Sequence, residues 1–362
     1  MTLGIGISGC GGAATDFCRA MDTIPDLRLV ATYDRDEKNA AELARPRNAV
    51  VAASQEALLA EGGVDIIYVA LPHFLLAGTV EAALMAGKHV LAEKPLALSA
   101  DEARRLGHLA DERNLRLGVF FELRQSAVVR MARELVAAGA IGTIRTVRIE
   151  TLIDKPMSYW QSGYSGRIND SWRAQKAKAG GGVVLMNSIH QIDALRFITG
   201  LEVTKVAGMA ATLSAKVEVE DAAGAVFRLA NGALGTLVAN AHSIGAENGE
   251  RISIEGVFGR IDLPYALSSN PIRLFLRRDW QQYAAGKWLE IPTAPRDSYA
   301  EMVRAFAVAV EEGASSPATA TDAAAALAIV QALYESSNTG RTIAPEGGQP
   351  SYIGASASNN FR

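Results

Sequence analysis

A lysine that follows a short apolar segment is the residue best placed to do chemistry in this chain. Lys94 lies in the tripeptide Glu93-Lys94-Pro95, directly after the apolar segment His89–Ala92. In open α/β sheets ligands bind at the carboxyl ends of strands, so a lysine there faces both a cofactor and a substrate. The following proline restricts the backbone of Lys94 to extended angles. We predict that Lys94 hydrogen-bonds a reacting oxygen and stabilises the negative charge that develops on it.

A histidine follows a run of glycines in the segment Gly180–Asp193. Asn187, His190 and Asp193 are spaced at i, i+3 and i+6, so on a helix the three share one broad face. Histidine is the usual proton acceptor near neutral pH, and we predict this role for His190. The alternative is a buried structural histidine bonded to Asp193. The sequence leaves open whether His190 or Lys94 accepts the proton.

The chain begins with a glycine-rich turn typical of dinucleotide-binding domains. Gly9-Cys10-Gly11-Gly12-Ala13-Ala14 fits the pattern G-x-G-x-x-A, between a short apolar segment and a helical pattern. Gly9 allows the tight turn, and Gly11 lets a pyrophosphate approach the backbone. The phosphates then meet Gly12 and Ala13 at the helix N-terminus, where free N–H groups favour anions. These four residues are predicted to bind the cofactor.

An acidic residue after the second apolar segment bears on which dinucleotide binds. Asp34 directly follows the segment Leu27–Tyr33. At this position a carboxylate can hydrogen-bond both adenosine ribose hydroxyls. That carboxylate would repel a 2′-phosphate, which favours NAD over NADP. Arg35 beside it could instead pair with such a phosphate, so NADP is the alternative. A strand-ending aspartate in an ordinary turn is the structural alternative for Asp34.

Aromatic side chains cluster in a polar stretch near the middle of the chain. Tyr159, Tyr164 and Trp172 can pack against the C–H faces of a sugar ring, and Arg173 can bind hydroxyls. Arg124 could reach the same cleft or form an ion pair between domains. We predict that the stretch forms a substrate lid; the alternative is a loop held to the core by its aromatic rings.

The elements that position these residues alternate between strand and helix in the first third of the chain. Apolar runs and helical spacing predict strands at 3–8, 27–33, 64–70, 89–92 and 117–120, with helices at 12–21, 75–86 and 100–113. This pattern is typical of a parallel sheet with helices on both faces. We predict a dinucleotide-binding domain over residues 1–122.

The pattern changes after Phe121. Helices are predicted at 126–138, 182–200, 299–312 and 322–336, and a strand at 144–152. Turn signals at Asn231-Gly232 and Gly256–Gly259 separate apolar runs, so consecutive hairpins form an antiparallel sheet. We predict an α+β substrate-binding and oligomerisation domain over residues 123–343, with a largely antiparallel open sheet, and a loose tail at 344–362.

Composition narrows the function classes. The chain has 362 residues, 49% of them hydrophobic, and a formal net charge of -3, so nothing favours nucleic acid as a partner. Cys10 and Cys18 are the only cysteines, and no Cys/His cluster indicates a metal site. Neither a signal peptide nor an uncharged apolar segment of membrane length is present, so we expect a cytoplasmic protein that binds no membrane.

Several short motifs in order along the chain resemble one enzyme family. The chain resembles the glucose–fructose oxidoreductase / inositol 2-dehydrogenase / MocA family. The matching segments are Gly9–Ala14, Asp34, Ala70-Leu71-Pro72, Gly87-Lys88, Glu93-Lys94-Pro95, Trp172-Arg173, Gly180–Asp193 and Ser336–Arg341. The resemblance implies an N-terminal Rossmann domain and a second α+β domain. It also implies oxidation or reduction of a secondary carbinol of a sugar, cyclitol or related polyol with NAD or NADP.

The resemblance also implies roles for individual residues. Lys94 and His190 match the family's active-site lysine and histidine, and Asp193 matches a substrate-facing acid. Contacts to the cofactor are expected from the strand-end segments, through Leu71, Pro72, His73, Glu93 and Lys94. Many members carry an aspartate four residues before the histidine, where this chain has Met186. We therefore expect Asn187 to hydrogen-bond substrate or Lys94, and Lys94 to lie in a less charged site than in many relatives.

We consider three alternative functions for this sequence. The first is an NAD(P)-dependent dehydrogenase acting on a sugar, anhydrosugar or cyclitol. The second is lyase or glycosidase chemistry with a tightly bound NAD and no net oxidation, and the third is a non-catalytic NAD sensor. A homodimer or homotetramer is expected, because an antiparallel sheet with one uncovered face tends to pack on a partner.

Overall fold

Parallel strands form the first sheet, as the alternating pattern predicts. A computed structural model describes residues 2–164, 166, 170–246, 249–294 and 296–346. The strands are β1 (Leu3–Ser8), β2 (Leu27–Tyr33), β3 (Val50–Val51), β4 (Ile66–Val69), β5 (His89–Ala92) and β6 (Leu117–Val119). They lie in the order β3-β2-β1-β4-β5-β6, and every pair is parallel. Because β1 pairs with both β2 and β4, the glycine turn that follows it lies at the middle of the sheet's carboxyl edge.

Helices connect these strands and bury their apolar faces on the sheet. They are α1 (Gly12–Met21), α2 (Glu37–Ala44), α3 (Gln55–Ala60), α4 (His73–Met85) and α5 (Ala100–Glu112), with a 3-10 turn at Arg45–Arg47. Ser99 caps the start of α5, because its hydroxyl accepts the Glu102 N–H at 3.2 Å. Inside α1, Phe17 stacks on Tyr68 of β4 with ring centroids 3.9 Å apart, which fixes the helix on the sheet.

The second sheet is mostly antiparallel. Its strands are β7 (Ile144–Leu152), β8 (Val203–Ala211), β9 (Ala222–Leu229), β10 (Leu234–Asn240), β11 (Gly249–Gly256), β12 (Gly259–Leu263), β13 (Ile272–Leu276) and β14 (Trp288–Ile291). They lie in the order β14-β13-β12-β11-β7-β10-β9-β8. Among the described strand pairs of this second sheet, only β7 and β10 are parallel. Both predicted hairpins are confirmed: β9 pairs antiparallel with β10, and β11 with β12.

Helices cover one face of this sheet and close the gap to the first. They are α6 (Ala127–Ala137), α7 (Met157–Ser162), α8 (Lys176–Ala179), α9 (Ile189–Thr199), α10 (Ser298–Glu311) and α11 (Ala320–Thr339). Short 3-10 turns lie at Glu122–Gln125 and Trp172–Ala174. The single helix predicted from 182 to 200 is wrong in its first part, because Val184–Ser188 forms a wider π-helical turn before α9. Long α11 packs against α5 on one side and β8 on the other, which joins the two sheets.

The architecture confirms the predicted fold class, a Rossmann sheet followed by an α+β unit with a largely antiparallel sheet. The predicted division at residue 122 stays a prediction, and residues 347–362 of the predicted tail lie outside the described residues. None of the described helices is both long and apolar enough to cross a membrane.

Candidate active site

A cavity of about 750 Å³ opens where the carboxyl edge of the first sheet meets the second sheet. Its walls come from the glycine turn, the segments after β4 and β5, the loop after β7, the π-helical turn and β11. The cavity therefore collects side chains from both halves of the fold. The predicted site residues that line it are Gly11, Gly12, Ala13, Leu71, Pro72, His73, Glu93, Lys94, Tyr159, Tyr164, Trp172, Arg173, Asn187 and His190.

The glycine turn has the shape that a dinucleotide needs. Gly9 has φ +89, and a Cβ on it would lie 2.4 Å from the Ala70 carbonyl oxygen, so the turn packs tightly against the strand end. Gly11 and Gly12, at the start of α1, put bare backbone on the cavity wall. Backbone N–H groups of a first helical turn have no partner within the helix, so this wall suits a pyrophosphate.

Asp34 and Arg35 lie behind the turn rather than in the cavity lining. Asp34 accepts the Cys10 N–H at 2.7 Å through Oδ2 and the Asp36 N–H at 2.9 Å through Oδ1. The carboxylate thus braces the glycine turn. The Arg35 guanidinium lies 3.5 Å from Asp170 Oδ2, just before residue Trp172 of the cavity lining.

Arg124 and Asp193 pair with each other instead of lining the cavity. Arg124 donates from Nε and Nη2 to the two Asp193 oxygens at 2.7 and 2.6 Å, and both side chains are buried. A further bond joins Arg124 Nη1 to Asp322 of α11 at 3.1 Å. Because each side chain satisfies the other's charge, this ion pair replaces the substrate contacts predicted for Arg124 and Asp193. For Arg124, an ion pair is the alternative given above.

Lys94 lies at the floor of the cavity. Its ammonium donates to the Met186 carbonyl oxygen at 2.8 Å, so it contacts the π-helical turn rather than the neighbouring Asn187 side chain. Burial lowers the pKa of Lys94, while the carboxyls of Glu93, Glu122 and Glu250 oppose this shift. Met186 brings no acid, and the carboxyls that act on Lys94 are those of its neighbour Glu93 and of Glu122 and Glu250 from two other segments. A site less charged than in many relatives stays a prediction.

His190 lies beside Lys94 and has Glu122, not Asp193, as its acidic neighbour. His190 Nδ1 is 3.4 Å from Glu122 Oε2. Burial and the Lys94 charge hold the pKa of His190 well below its usual value, so the imidazole is neutral near pH 7. A neutral imidazole is the form that can take a proton from a hydroxyl.

The cavity lining includes acidic and basic residues that the sequence did not predict, among them Asp16 and Asp154. Three of these unpredicted residues bear on the site: Glu122, Lys155 and Glu250. Lys155 is 8% exposed, and its ammonium lies 4.2 Å from the Tyr159 ring centroid and 3.7 Å from that of Tyr164. Burial lowers the pKa of Lys155 to about 7. Burial raises the pKa of Glu250, against the effects of Gln191 and Lys155. No motif marks these residues, since each stands alone in its segment.

Two of the three aromatic side chains in the predicted cluster are buried, and the third is exposed. Tyr159 and Trp172 are buried, and the Trp172 ring contacts that of His73 at a centroid distance of 4.6 Å. The His73 Nδ1 lies 2.7 Å from the Ala179 carbonyl oxygen, so that nitrogen carries the proton. Tyr164 is 77% exposed at the cavity's rim, and residues 165 and 167–169 beside it lie outside the described residues.

Arg173 extends between these rings at the cavity wall. Its guanidinium lies over the rings of Trp172 and Tyr159, 4.4 and 5.5 Å from their centroids. Burial lowers the pKa of Arg173, which nevertheless keeps its charge at neutral pH. The arginine can therefore donate to an acceptor in the cavity.

The described residues contain no cluster of three side chains arranged to hold a metal ion.

Comparison with known proteins identifies the family to which this site belongs. A model described as the oxidoreductase family with an NAD-binding Rossmann fold matches residues 3–121, and the GFO/IDH/MocA C-terminal domain model matches residues 129–262. Together they match well over half of the chain. The chain belongs to the Gfo/Idh/MocA family of NAD-binding oxidoreductases, which confirms the predicted family, cofactor and enzyme class.

Individual relatives agree in length and fold. The 1,5-anhydro-D-fructose reductase of Ensifer adhaerens is 29% identical over 301 residues, which is 82% of this chain and 84% of that protein. An oxidoreductase domain protein from Kribbella flavida has a crystal structure with a TM-score of 0.85 and 26% identity, covering 95% of this chain and 100% of that one. A levoglucosan dehydrogenase solved with NADH and levoglucosan has a TM-score of 0.85 and 23% identity, covering 96% and 100%.

Proposed function

We propose that this protein transfers hydride between NAD and a secondary hydroxyl of a sugar, anhydrosugar or cyclitol. The observation that carries the proposal is the meeting of Lys94 and His190 in the cavity that starts at the glycine turn. Relatives named as a reductase of an anhydrosugar and a dehydrogenase of levoglucosan support the substrate class.

The residues present fit NAD along one wall of the cavity. Gly11, Gly12 and Ala13 would hold the pyrophosphate, and the Asp34 carboxylate behind them would face the adenosine ribose. Leu71, Pro72 and His73 line the same wall after β4, next to Glu93 after β5. When bound, NAD supplies the hydride acceptor of the oxidation.

Lys94 and His190 divide the acid–base work on the substrate oxygen. The neutral His190 takes the hydroxyl proton, and the Lys94 ammonium donates a hydrogen bond to the same oxygen as negative charge develops on it. The opposite assignment is less favourable, because a lysine must first lose its proton to act as a base. Burial lowers the pKa of Lys94 but three carboxyls oppose that shift, so we assign the base to His190.

The rest of the cavity suits a ring that carries hydroxyl groups. Tyr159 and Tyr164 offer aromatic faces, while Lys155, Arg173 and Glu250 offer donors and an acceptor. Asn187, next to the reacting pair, can orient a neighbouring hydroxyl. We assign substrate binding to this set, and the ion pair of Arg124 with Asp193 supports it from behind.

Substitution of the reacting pair tests the proposal. Lys94→Ala and His190→Ala should each lower kcat by about 10²–10⁴-fold, the usual contribution of a positioned acid or base. NADH affinity, followed by fluorescence titration, should stay within a few-fold, because the glycine turn is untouched. Wild-type activity is measured first on sugars, anhydrosugars and cyclitols as absorbance of reduced cofactor, with NAD and NADP compared. Near-normal turnover by both variants would contradict the assignment.

We further propose that the protein acts in the cytoplasm, where reduced cysteines and free NAD are found, as a homodimer or homotetramer. The outer face of the second sheet supports the assembly. In this face Met209, Val226, Leu234 and Val238 are exposed apolar side chains on β8, β9 and β10. Apolar side chains of this kind pack well against a second copy.

A further inference from the structure

We propose that Glu122 is the positioning residue of His190 and receives the proton that His190 takes from the substrate. The inference rests on the proposed function for its chemical step. It assigns a role to a side chain that no sequence motif marks.

The geometry isolates Glu122 and His190 as a pair. Glu122 begins the 3-10 turn Glu122–Gln125 after β6 and is 6% exposed. Its Oε2 lies 3.4 Å from His190 Nδ1, and that buried ring nitrogen has no hydrogen-bond partner in the described part of the chain, so Glu122 is the charged group placed to engage it. The Phe121 ring meets the imidazole edge-on at 6.1 Å, which restricts its rotation.

This contact determines which nitrogen of His190 is basic. An ionised carboxylate can only accept hydrogen bonds, so when Glu122 is ionised it favours the tautomer of His190 that carries its proton on Nδ1, facing Glu122. The neutral ring then keeps its lone pair on Nε2, and His190 lines the cavity with its other edge. Without Glu122 the two tautomers would be closer in energy, and a fraction of the enzyme would present an N–H to the substrate instead of a base.

The surroundings of Glu122 also suit it to take up a proton. Glu93 and Lys94 face it from the end of β5, Glu250 from β11, and Tyr265 and Tyr299 from the loop after β12 and from α10. Burial and the Glu93 charge raise the pKa of Glu122 to about 8, against the effect of Lys94. Glu122 is therefore mainly ionised, and able to take up a proton, above about pH 8, which ties the proposed transfer to its ionisation.

In the proposed oxidation, the hydride and both protons each pass to a named acceptor. The C–H bond of the substrate carbinol breaks and its electron pair leaves as hydride to the nicotinamide of NAD. The O–H bond breaks and a C=O bond forms, and the hydroxyl proton goes to His190 Nε2. The Nδ1 proton passes to a Glu122 oxygen, so the imidazole returns to neutral and Glu122 ends as a carboxylic acid.

A spectroscopic test examines the positioning without any substrate. The chain has 5 histidines, so imidazole ¹⁵N–¹H correlation spectra are tractable, with His190→Gln identifying the His190 signals. At about pH 9, where Glu122 is ionised, wild type should show His190 protonated at Nδ1. Glu122→Leu removes the acceptor, and the His190 nitrogen shifts should move toward a tautomer mixture. Glu202→Gln is the matched control. The Glu202 carboxylate pairs with Arg196, which lies on α9 as His190 does but does not line the cavity. This substitution should leave the His190 signals unchanged.

A kinetic test examines the proton transfer. Glu122→Gln keeps the size and an oxygen acceptor but cannot take a proton, so kcat for polyol oxidation should fall about 10²-fold while NADH affinity is kept. The ionisation that makes wild-type kcat rise with pH should disappear from its pH profile. Glu122→Asp should regain part of the loss. Thermal unfolding of each variant verifies that it is folded.

Two results would overturn the inference. One is an unchanged His190 tautomer in Glu122→Leu, and the other is a kcat for Glu122→Gln within twofold of wild type with the same pH profile. If wild type turns over no polyol, the proposed function fails, but the tautomer test still decides the pairing of Glu122 with His190.

Discussion

Lys155 is buried in surroundings that disfavour the charged form of its amine. Its backbone N–H donates to the Ala241 carbonyl oxygen at 2.9 Å, just past the end of β7, and its stem carries the ammonium inward beneath two tyrosine rings. Within the described residues that ammonium has no hydrogen-bond acceptor. Burial without a partner favours the neutral amine, which is why its pKa falls to about 7. Burial of this amine has a cost in folding free energy, and a hydroxyl of the proposed substrate would supply the missing acceptor.

The cost gives a stability prediction for the free enzyme. Between pH 7 and about 10.4 the unfolded chain holds a proton on Lys155 that the folded chain has released, so stability rises with pH across this window. Lys155→Met removes the penalty. It should stabilise the fold by roughly 1–3 kcal/mol at pH 7, after allowance for lost cation–π contacts, and the gain should vanish near pH 10.

Urea unfolding at pH 7 and pH 10 measures this difference, with the exposed Lys287→Met as control. The same variant should raise KM for the best substrate found, because the cavity loses a donor. A gain in stability that is equal at both pH values would contradict the buried-amine explanation.

The residues that sequence reasoning recovered are those held by local motifs. Lys94 and His190 stand in segments whose spacing carries information, and both line the cavity. Glu122 and Glu250 could not be found this way, since a lone acid in a turn or strand becomes informative only when folding brings it to a lysine. Asp193 had suitable spacing, but the buried Arg124 guanidinium competes for it at hydrogen-bond distance.

At the scale of elements, the approach to α9 is built by close backbone packing. A Cβ on Gly181 would lie 2.2 Å from the Tyr334 hydroxyl, and a Cβ on Gly182 would lie 1.8 Å from the Glu220 carbonyl oxygen. The Glu220 carboxylate accepts the N–H groups of Gly182 and Val184 at 2.6 and 3.0 Å. These contacts fix the start of the π-helical turn whose Met186 carbonyl holds Lys94.

Two glycine substitutions should therefore have opposite effects. Gly182→Ala places a methyl group against backbone and should destabilise the protein by roughly 2–4 kcal/mol and lower turnover. Gly78→Ala, on the exposed side of α4 with nothing within 4 Å of the new Cβ, should stabilise it by about 0.5–1 kcal/mol. Urea midpoints measure both, and a Gly182→Ala midpoint equal to wild type would disprove the packing argument.

Sequence patterns predicted elements well where burial is strong. The segments predicted as β1, β2, β5 and β7 have the observed bounds, because apolar runs and turn residues both mark them. The π-helical turn was missed because its residues have an ordinary helical pattern. Its wider turn depends on Glu220 and Tyr334, which come from distant parts of the chain.

At the scale of the molecule, α11 and the Arg124 cluster tie the two sheets together. Arg124 follows the first sheet, Asp193 lies in α9 and Asp322 in α11, so one guanidinium joins three segments. Burial of each partner makes the cluster costly to break from one side. The inner face of the second sheet is covered by α9 and α11, where Leu237 and Ile149 meet Ile192 and Leu333.

The outer face of that sheet has no such cover among the described residues. Met209 on β8 and Val238 on β10 are register neighbours across Gly224 of β9, so the exposed side chains form one continuous patch. Charged residues would make this patch compatible with water but incompatible with a tight sheet-to-sheet interface. We therefore expect the double variant Val226→Lys/Val238→Lys to separate the subunits.

Light scattering after size exclusion measures the outcome. Wild type should elute at two or four times the monomer mass of 38.3 kDa, and the double variant should approach 38.3 kDa at micromolar concentration. Val308→Lys, an equally apolar exposed position on α10, is the control and should keep the wild-type mass. NADH affinity should survive in the double variant, since the glycine turn lies in the other sheet. A wild-type protein that is already monomeric, or a double variant with unchanged mass, would show that this face is not the interface.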